Sequence, residues 1–391
     1  MNILKFGVIG TSRKEDENRI PIHPEHLMRL SEQIRSQLIF EEGYGAPFGI
    51  SDSKMADQSG GVATRHEILA DIGNVILAKP VLADFEELKE GGILWGYPHC
   101  VQQRSHTQAA IDRKQTLIAF EDMFVWGPKG NIGRHTFYKN NEMAGYCAVL
   151  HALHLKGIDG HYGNQRKVVI FSFGAVSRGA IYALKARGFR DITICIQRPD
   201  HEVREDVLDC HYVRIREGNE GEPRMLVVEH DGSEQPLADL ISQAEIIVNG
   251  TFQRPKHPIQ FVTEDEISSL KPGCLIIDVS CDEGMGFYFA KPTSFKNPMF
   301  KVGKLDYYAV DHTPSYLWES ASRSISAALI VHLPTVLAGY DSWQQNETIR
   351  QAVNINAGVI VKPDIISFQH REELYPHCPL VWKEAEISKK V

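Results

Sequence analysis

Val168-Val-Ile-Phe171-Ser-Phe-Gly174-Ala-Val-Ser-Arg178-Gly179 opens the segment that decides the fold. Val168–Phe171 is a short apolar run of the kind buried on both faces of a parallel sheet. A turn containing Gly174 follows, then a helix to about Arg187. Gly188 stops that helix, and Ile192–Ile196 is the next strand. This is a βαβ unit with the length of a dinucleotide-binding half. Such a loop needs glycines for a tight turn, for close approach to a pyrophosphate and for helix packing. Gly174 and Gly179 can serve, but Ser172 and Phe173 stand where small residues are expected. The helix N-terminus offers N–H groups and a positive dipole end to an anion. That makes Gly174, Ala175 and Val176 candidate cofactor-binding residues. Arg178 would add charge, although an exposed helix arginine is the commoner explanation.

Downstream, Gly273-Cys-Leu-Ile-Ile-Asp278-Val-Ser-Cys-Asp282-Glu-Gly284 delivers two acids at and beyond the end of another apolar strand. Ligands of open α/β sheets sit beyond the C-terminal strand ends. Both acids could equally be loop caps. The strand at Ile192–Ile196 ends in Gln197-Arg198-Pro199. An acid there suits the ribose of NAD, whereas arginine favours NADP, so Arg198 leans toward NADP.

The rest of the chain alternates strands and helices, the pattern of an α/β protein. Strands are expected at Ile3–Ile9, Leu38–Glu42, Val75–Ala78, Ile93–Trp95, Leu117–Phe120, Met225–Val228, Ile246–Asn249 and Tyr307–Val310. Helices are expected at Pro24–Ser36, Asn140–Leu155, Pro314–Leu333 and near Glu347–Val353, with Thr313 as an N-cap. The stretch Arg216–Pro223 reads as a surface turn.

The 391 residues allow two domains. Hydrophobic content is 43%, charged content 24% and the formal net charge −8, which argues against a nucleic-acid or anionic-membrane surface. The opening Met1–Gly10 lacks the flank of a signal peptide, no stretch approaches a membrane span, and a cytoplasmic location is expected. Seven cysteines without a Cys-x-x-Cys pair point to reduced thiols and no zinc site.

Three polar residues stand at expected strand ends or loops. Arg19, in Glu17-Asn-Arg-Ile-Pro-Ile-His-Pro24, could grip a carboxylate. Lys79 could bind a carboxylate or keto oxygen. Histidine as a residue type titrates near neutrality, so His99 could serve in proton transfer. Singly, each has a bland reading as an ion pair, a solvated lysine or a packed histidine. Together they form a candidate site.

Segments spread along the chain carry a family resemblance. They include Glu17–Pro24, Glu42-Gly-Tyr-Gly45, Ala78-Lys-Pro80, Leu88-Lys-Glu-Gly91, Gly96-Tyr-Pro-His99, Tyr138-Lys-Asn140, Ala144-Gly-Tyr146, Ile247-Val-Asn-Gly250, Ile277-Asp-Val-Ser-Cys-Asp282 and Thr313-Pro-Ser315. The chain resembles the alanine dehydrogenase superfamily, which includes the N-terminal part of nicotinamide nucleotide transhydrogenases and the lysine-forming saccharopine dehydrogenases. Within it, the likeness is to the N5-(carboxyethyl)ornithine synthase branch.

The resemblance implies an α/β fold of two Rossmann-like domains joined by two long helices. A discontinuous catalytic domain would span 1–137 and 313–391, with the NAD(P)-binding domain at 138–312. It implies that Arg19, Lys79 and His99 handle a keto acid, that Asp282 lies near the nicotinamide, and that Asn249 and Gly250 belong to the cofactor site. The sequence departs from the pattern in the glycine-poor Ser172–Phe173 loop and in Lys79-Pro80, which lacks an intervening acid.

The expected activity is an opine-type reduction by NADPH, with NAD(H) also possible. The imine would form between pyruvate and the amine of ornithine or a similar amino acid. Alanine dehydrogenase chemistry with ammonia and saccharopine-type chemistry are alternatives, as is an inactive nucleotide-binding regulatory protein. Partners are small substrates, and a homo-oligomer is expected.

Overall fold

The computed structural model describes residues 3–198, 207–219, 224–229, 231–253 and 258–371. The chain divides into two compact units, Met1–Tyr138 with Trp318–Val391, and Lys139–Leu317. The second boundary falls after Leu317, where the sequence suggested residue 312.

The first unit is built on six parallel strands: β1 (Phe6–Ile9), β2 (Leu38–Glu41), β3 (Gly61–Ala63), β4 (Asn74–Leu77), β5 (Ile93–Gly96) and β6 (Thr116–Ala119). Their order is β3-β2-β1-β4-β5-β6, extended past β6 by the antiparallel strands Val353–Asn356 and Val359–Ile360. Alternate residues feed two cores. Val8, Ile76, Trp95 and Ile118 enter one, while Ile9, Val75, Leu94 and Leu117 enter the other. Burial on both faces explains the unbroken apolar runs. Each large apolar side chain removed from water contributes about 1.5–3 kcal/mol.

The second unit repeats the order. Strands β7 (Val168–Phe171), β8 (Ile192–Ile196), β9 (His211–Glu217), β10 (Ile246–Asn249), β11 (Leu275–Asp278) and β12 (Leu305–Tyr308) run parallel as β9-β8-β7-β10-β11-β12. This is the doubly wound dinucleotide-binding order, whose direction reverses between β7 and β10. Helix α1 (Tyr138–Lys156) packs against α2 (Ala175–Ala186) at glycines. A Cβ on Gly179 would lie 1.7 Å from the Glu142 carbonyl oxygen, and one on Gly145 1.9 Å from that of Val176. Only glycine permits that approach.

Several expectations are corrected. Pro24–Ser36 is not one helix but a 3-10 helix, Pro24–Arg29, and a short α-turn, Glu32–Arg35, separated by extended Leu30 and Ser31. Pro314–Leu333 is also interrupted. A 3-10 turn, Thr313–Leu317, precedes α3 (Trp318–Leu329), and a separate helix begins at Leu333. Pro334 explains the second break, because it has no N–H and its ring would collide with the carbonyl one turn back. The Thr313 hydroxyl donates to the Ala144 carbonyl oxygen at 2.9 Å instead of capping α3. The turn expected from Arg216 begins later, because β9 runs to Glu217. Residues 220–223 lie outside the described residues. Among the described residues, no helix is long and apolar enough to cross a membrane.

Candidate active site

In the first unit, the candidate residues gather at the C-terminal strand ends. Lys79 follows β4, His99 follows β5, and Glu121 follows β6. Lys79 Nζ lies 2.6 Å from His99 Nε2. An ammonium donates in that contact, so Nε2 accepts and the imidazole proton sits on Nδ1. Nδ1 lies 3.9 Å from Glu121 Oε1, which also accepts the His99 backbone N–H at 2.7 Å. His99 adopts φ +49°, one of eight non-glycine residues with positive φ among the described residues. Ser172 and Cys281, in the two candidate loops of the other unit, are also among them. Strain of about 1–3 kcal/mol at such positions persists where the surroundings enforce it.

Glu121 was not singled out in the sequence. About a quarter of its side chain is exposed, but Oε2 is buried without a hydrogen-bond partner. Burial, aided by the neighbouring Asp122 charge, pushes its carboxyl up to about 7. The signal was available, since Glu121 follows the apolar run Leu117–Phe120 much as Asp278 ends the run Leu275–Ile277.

Arg19 is buried with Glu17. Its Nε donates to Glu17 Oε1 at 2.8 Å and its Nη2 to Oε2 at 2.5 Å. The guanidinium is therefore fixed by a bidentate pair on its own loop, which the sequence offered only as a bland alternative. Helix α3 anchors this loop, as Ser322 Oγ accepts the Ile20 N–H at 2.9 Å and Ser326 Oγ bonds His26 Nδ1 at 2.8 Å.

In the second unit, the β7–α2 loop accommodates its unusual residues. Ser172 takes the glycine-like conformation, φ +73°, and its hydroxyl bonds Ser177 Oγ at 2.8 Å and the Gly250 carbonyl oxygen at 3.0 Å. The Phe173 side chain is buried, with its ring 5.3 Å from that of Tyr212. The Arg178 guanidinium stacks on the Phe173 ring at 3.9 Å. The bulky residue is thus folded into the protein. Gly174 caps α2 without a side chain, and a Cβ built there would meet nothing within 4 Å. Thr251 Oγ1, beyond the adjoining β10, is buried without a partner. An open glycine, a 12-residue helix's N-terminus and an unsatisfied hydroxyl fit a dinucleotide phosphate. Gly174, Ala175, Val176 and Gly250 would hold it.

Arg198 is exposed just beyond β8. The Asn249 side chain is turned inward instead. Its Nδ2 donates to Asp278 Oδ1 at 3.0 Å and its Oδ1 accepts the Thr251 N–H at 3.1 Å, so it braces the loop.

The two acids of the β11 segment separate in kind. Asp278 is fully buried and accepts from Asn249, from the Cys281 N–H at 3.0 Å and from Tyr307 Oη at 2.8 Å. Asp282 is partly buried, and desolvation pushes its carboxyl up to about 6. The acid limb of kcat/KM is therefore expected near pH 6–7, because these carboxyls lose charge as pH falls. A pH–rate profile checks this. Asp282→Asn should remove a component near pH 6 and Glu121→Gln one near pH 7, whereas an unaltered limb in both variants would exclude these groups.

Two α/β units of this strand order form a two-domain Rossmann-like architecture. The chain belongs to the alanine dehydrogenase/PNT family, matching its N-terminal domain over residues 8–125 and its C-terminal domain over residues 157–363. It is 23% identical to an N(5)-(carboxyethyl)ornithine synthase of Clostridium botulinum, over 81% of this chain and 90% of that protein. It is also 23% identical to an alanine dehydrogenase of Mycobacterium tuberculosis, over 90% and 94% respectively. The fold matches a solved L-alanine dehydrogenase with a TM-score of 0.72 at 16% identity, covering 94% of this chain and 99% of that one. A transhydrogenase from Sinorhizobium meliloti gives 0.67 at 16% identity, covering 92% and 99%. The chain is an oxidoreductase of this family, whose cofactor class is a nicotinamide dinucleotide.

Proposed function

We propose that this enzyme reduces the imine formed between a 2-keto acid, such as pyruvate, and the side-chain amine of ornithine or a similar amino acid. The observation that carries the reading is the Lys79–His99–Glu121 chain at adjacent strand ends. The similarity to carboxyethylornithine synthases favours an amino-acid amine. Bound NADPH supplies the hydride.

Arg19, held rigid by Glu17, binds the keto-acid carboxylate. Lys79 polarises the carbonyl oxygen. His99 accepts a proton from the attacking amine at Nε2, Glu121 balances the imidazolium that results, and the imidazolium returns the proton to the departing hydroxyl, which leaves as water. Asp282, when ionised, offsets the charge of a cationic imine. Positioning and electrostatics are the protein's contribution. A cytoplasmic homo-oligomer belongs to the same reading, and sedimentation of the purified protein tests its assembly.

The similarity to alanine dehydrogenases supports a second reading, with ammonia as the amine. An NADPH-oxidation screen with pyruvate or 2-oxoglutarate, against ammonia, ornithine and lysine, separates the readings. Activity with ammonia alone rejects the first. Activity with 2-oxoglutarate and lysine alone indicates saccharopine-type chemistry, and failure to bind dinucleotide points to a regulatory protein.

Arg198 is the proposed contact for the NADP 2′-phosphate. Arg198→Ala is expected to raise the KM for NADPH about 10-fold or more, the size of one charge-assisted contact, with little change for NADH. Equal changes for both cofactors would reject that role.

A further inference from the structure

A cleft of about 490 Å³ lies in the first unit over the C-terminal ends of β1 and β2. Its size is within the range of small-molecule sites, typically about 300–1,000 Å³, and far exceeds the room ammonia needs. We propose that this cleft binds the amino-acid co-substrate, and that Asn18 and Trp318 select a diamino acid by its non-reacting ammonium. The proposal rests on the imine-reducing reading and names the substrate class it takes.

The cleft is built before any ligand arrives. Its β1 edge is fastened by Glu41, whose Oε2 accepts the Gly10 and Thr11 N–H groups, each at 2.8 Å. Tyr44, whose ring lies against Gly10, is pinned through its hydroxyl to Ile22, donating to the carbonyl oxygen at 2.7 Å and accepting from the N–H at 3.0 Å. Trp318 packs edge-on against Phe48 with ring centroids 5.7 Å apart. Such fixed walls reduce the ordering cost of binding.

The lining chemistry suits an ammonium. The cleft is lined by the Asn18 carboxamide and the rings of Tyr44 and Trp318, with no lysine or arginine among its described lining residues, while the buried Glu17 carboxylate is taken up by Arg19. Carbonyl oxygens and aromatic faces both attract an ammonium. The cleft also adjoins the reacting centre, since Ser12, one of its lining residues, donates its hydroxyl to the Lys79 carbonyl oxygen at 3.1 Å. A diamino acid can therefore keep one ammonium in the cleft and extend its other amine toward the keto carbon beside Lys79. Ammonia cannot use these contacts.

Steady-state kinetics of the full-length enzyme with pyruvate and NADPH tests the assignment. The amine probes are ornithine and 5-aminopentanoate, which keeps the reacting amine and the carboxylate but lacks the second ammonium. The KM for 5-aminopentanoate is expected to exceed that for ornithine about 10-fold or more, the value of one desolvated cation contact. Trp318→Ala and Asn18→Ala should each erase most of that difference by raising the ornithine KM, with a smaller change in the pyruvate KM. Trp318→Phe should restore part of it. Asn18 is exposed, so its variant still reports if the Trp318 variant fails to fold. Equal KM values for the two amines in the wild type, or parallel rises in the ornithine and pyruvate KM values in the variants, would overturn the cleft assignment and leave the reaction intact. Turnover with ammonia but with no amino acid would overturn both.

Discussion

His99→Ala is expected to lower kcat by about 10²–10⁴-fold, the usual contribution of a positioned acid–base group, while the dissociation constant for NADPH changes little. The geometry sets the size of the effect. His99 joins two charged side chains, Lys79 at 2.6 Å and Glu121 through its backbone N–H at 2.7 Å. Without the imidazole, Lys79 Nζ loses its acceptor and no nitrogen remains there to pass the proton. The dinucleotide loop contains none of these residues, which is why cofactor affinity should be spared. Stopped-flow turnover combined with fluorescence titration of NADPH measures both quantities. Unchanged turnover removes His99 from the proton-transfer role. Glu121→Gln should cost less, about 10-fold, because Glu121 acts through His99, and it should also alter the pH profile.

Asp278→Ala is expected to destabilise the enzyme by about 3–5 kcal/mol, because several buried donors lose one acceptor together. Those donors are the Asn249 carboxamide, the Cys281 N–H and the Tyr307 hydroxyl. Asp278→Asn should be mild, since an amide oxygen replaces the acceptor and the Tyr307 hydroxyl can turn to accept. The two variants also separate charge from hydrogen bonding. Burial pushes the Asp278 carboxyl up to about 6, above its ordinary value of 3.8. The stability associated with its neutral form is thus fully present below about pH 4 and lost as pH rises through 6. Asp278→Asn should flatten that part of the stability–pH curve. Urea unfolding between pH 4 and 8 provides the measurement. A small loss for Asp278→Ala would mean that water replaces the carboxylate and that it does not brace the strand end.

Much of the framework is legible in the order of residues. The runs Val168–Phe171, Ile246–Val248 and Leu275–Ile277 are apolar without interruption because both faces of the sheet are covered, and that pattern needs no tertiary knowledge. Strand β9 is harder, because His211-Tyr-Val-Arg-Ile-Arg-Glu217 alternates and only Val213 and Ile215 are buried in it. The short β3 has no fully buried residue and left little pattern to find. The interrupted helices leave no mark in the apolar spacing. Apolar spacing continues across Leu30–Ser31 and across Ile330–His332, while local backbone geometry breaks the helix.

The sequence by itself determined the family and its paired dinucleotide-type architecture, because period, punctuation and a few strand-end residues are local properties. It also nominated Lys79, His99, Arg19 and Asp282. Only the tertiary structure decided what those residues meet. Lys79 and His99 are 20 residues apart in the chain but 2.6 Å apart at their nitrogens. Glu121 became a member of the same chain through a contact 22 residues away. The two acids of β11 look alike in sequence, yet one is enclosed by three donors and the other is not. Ser172 and Phe173, which look unsuited to a cofactor loop, fit because one adopts positive φ and the other is buried. The physical reason is common to all of these cases. A side chain's charge, exposure and partners depend on strands brought side by side, whereas its tendency to end a strand is written in its immediate neighbours.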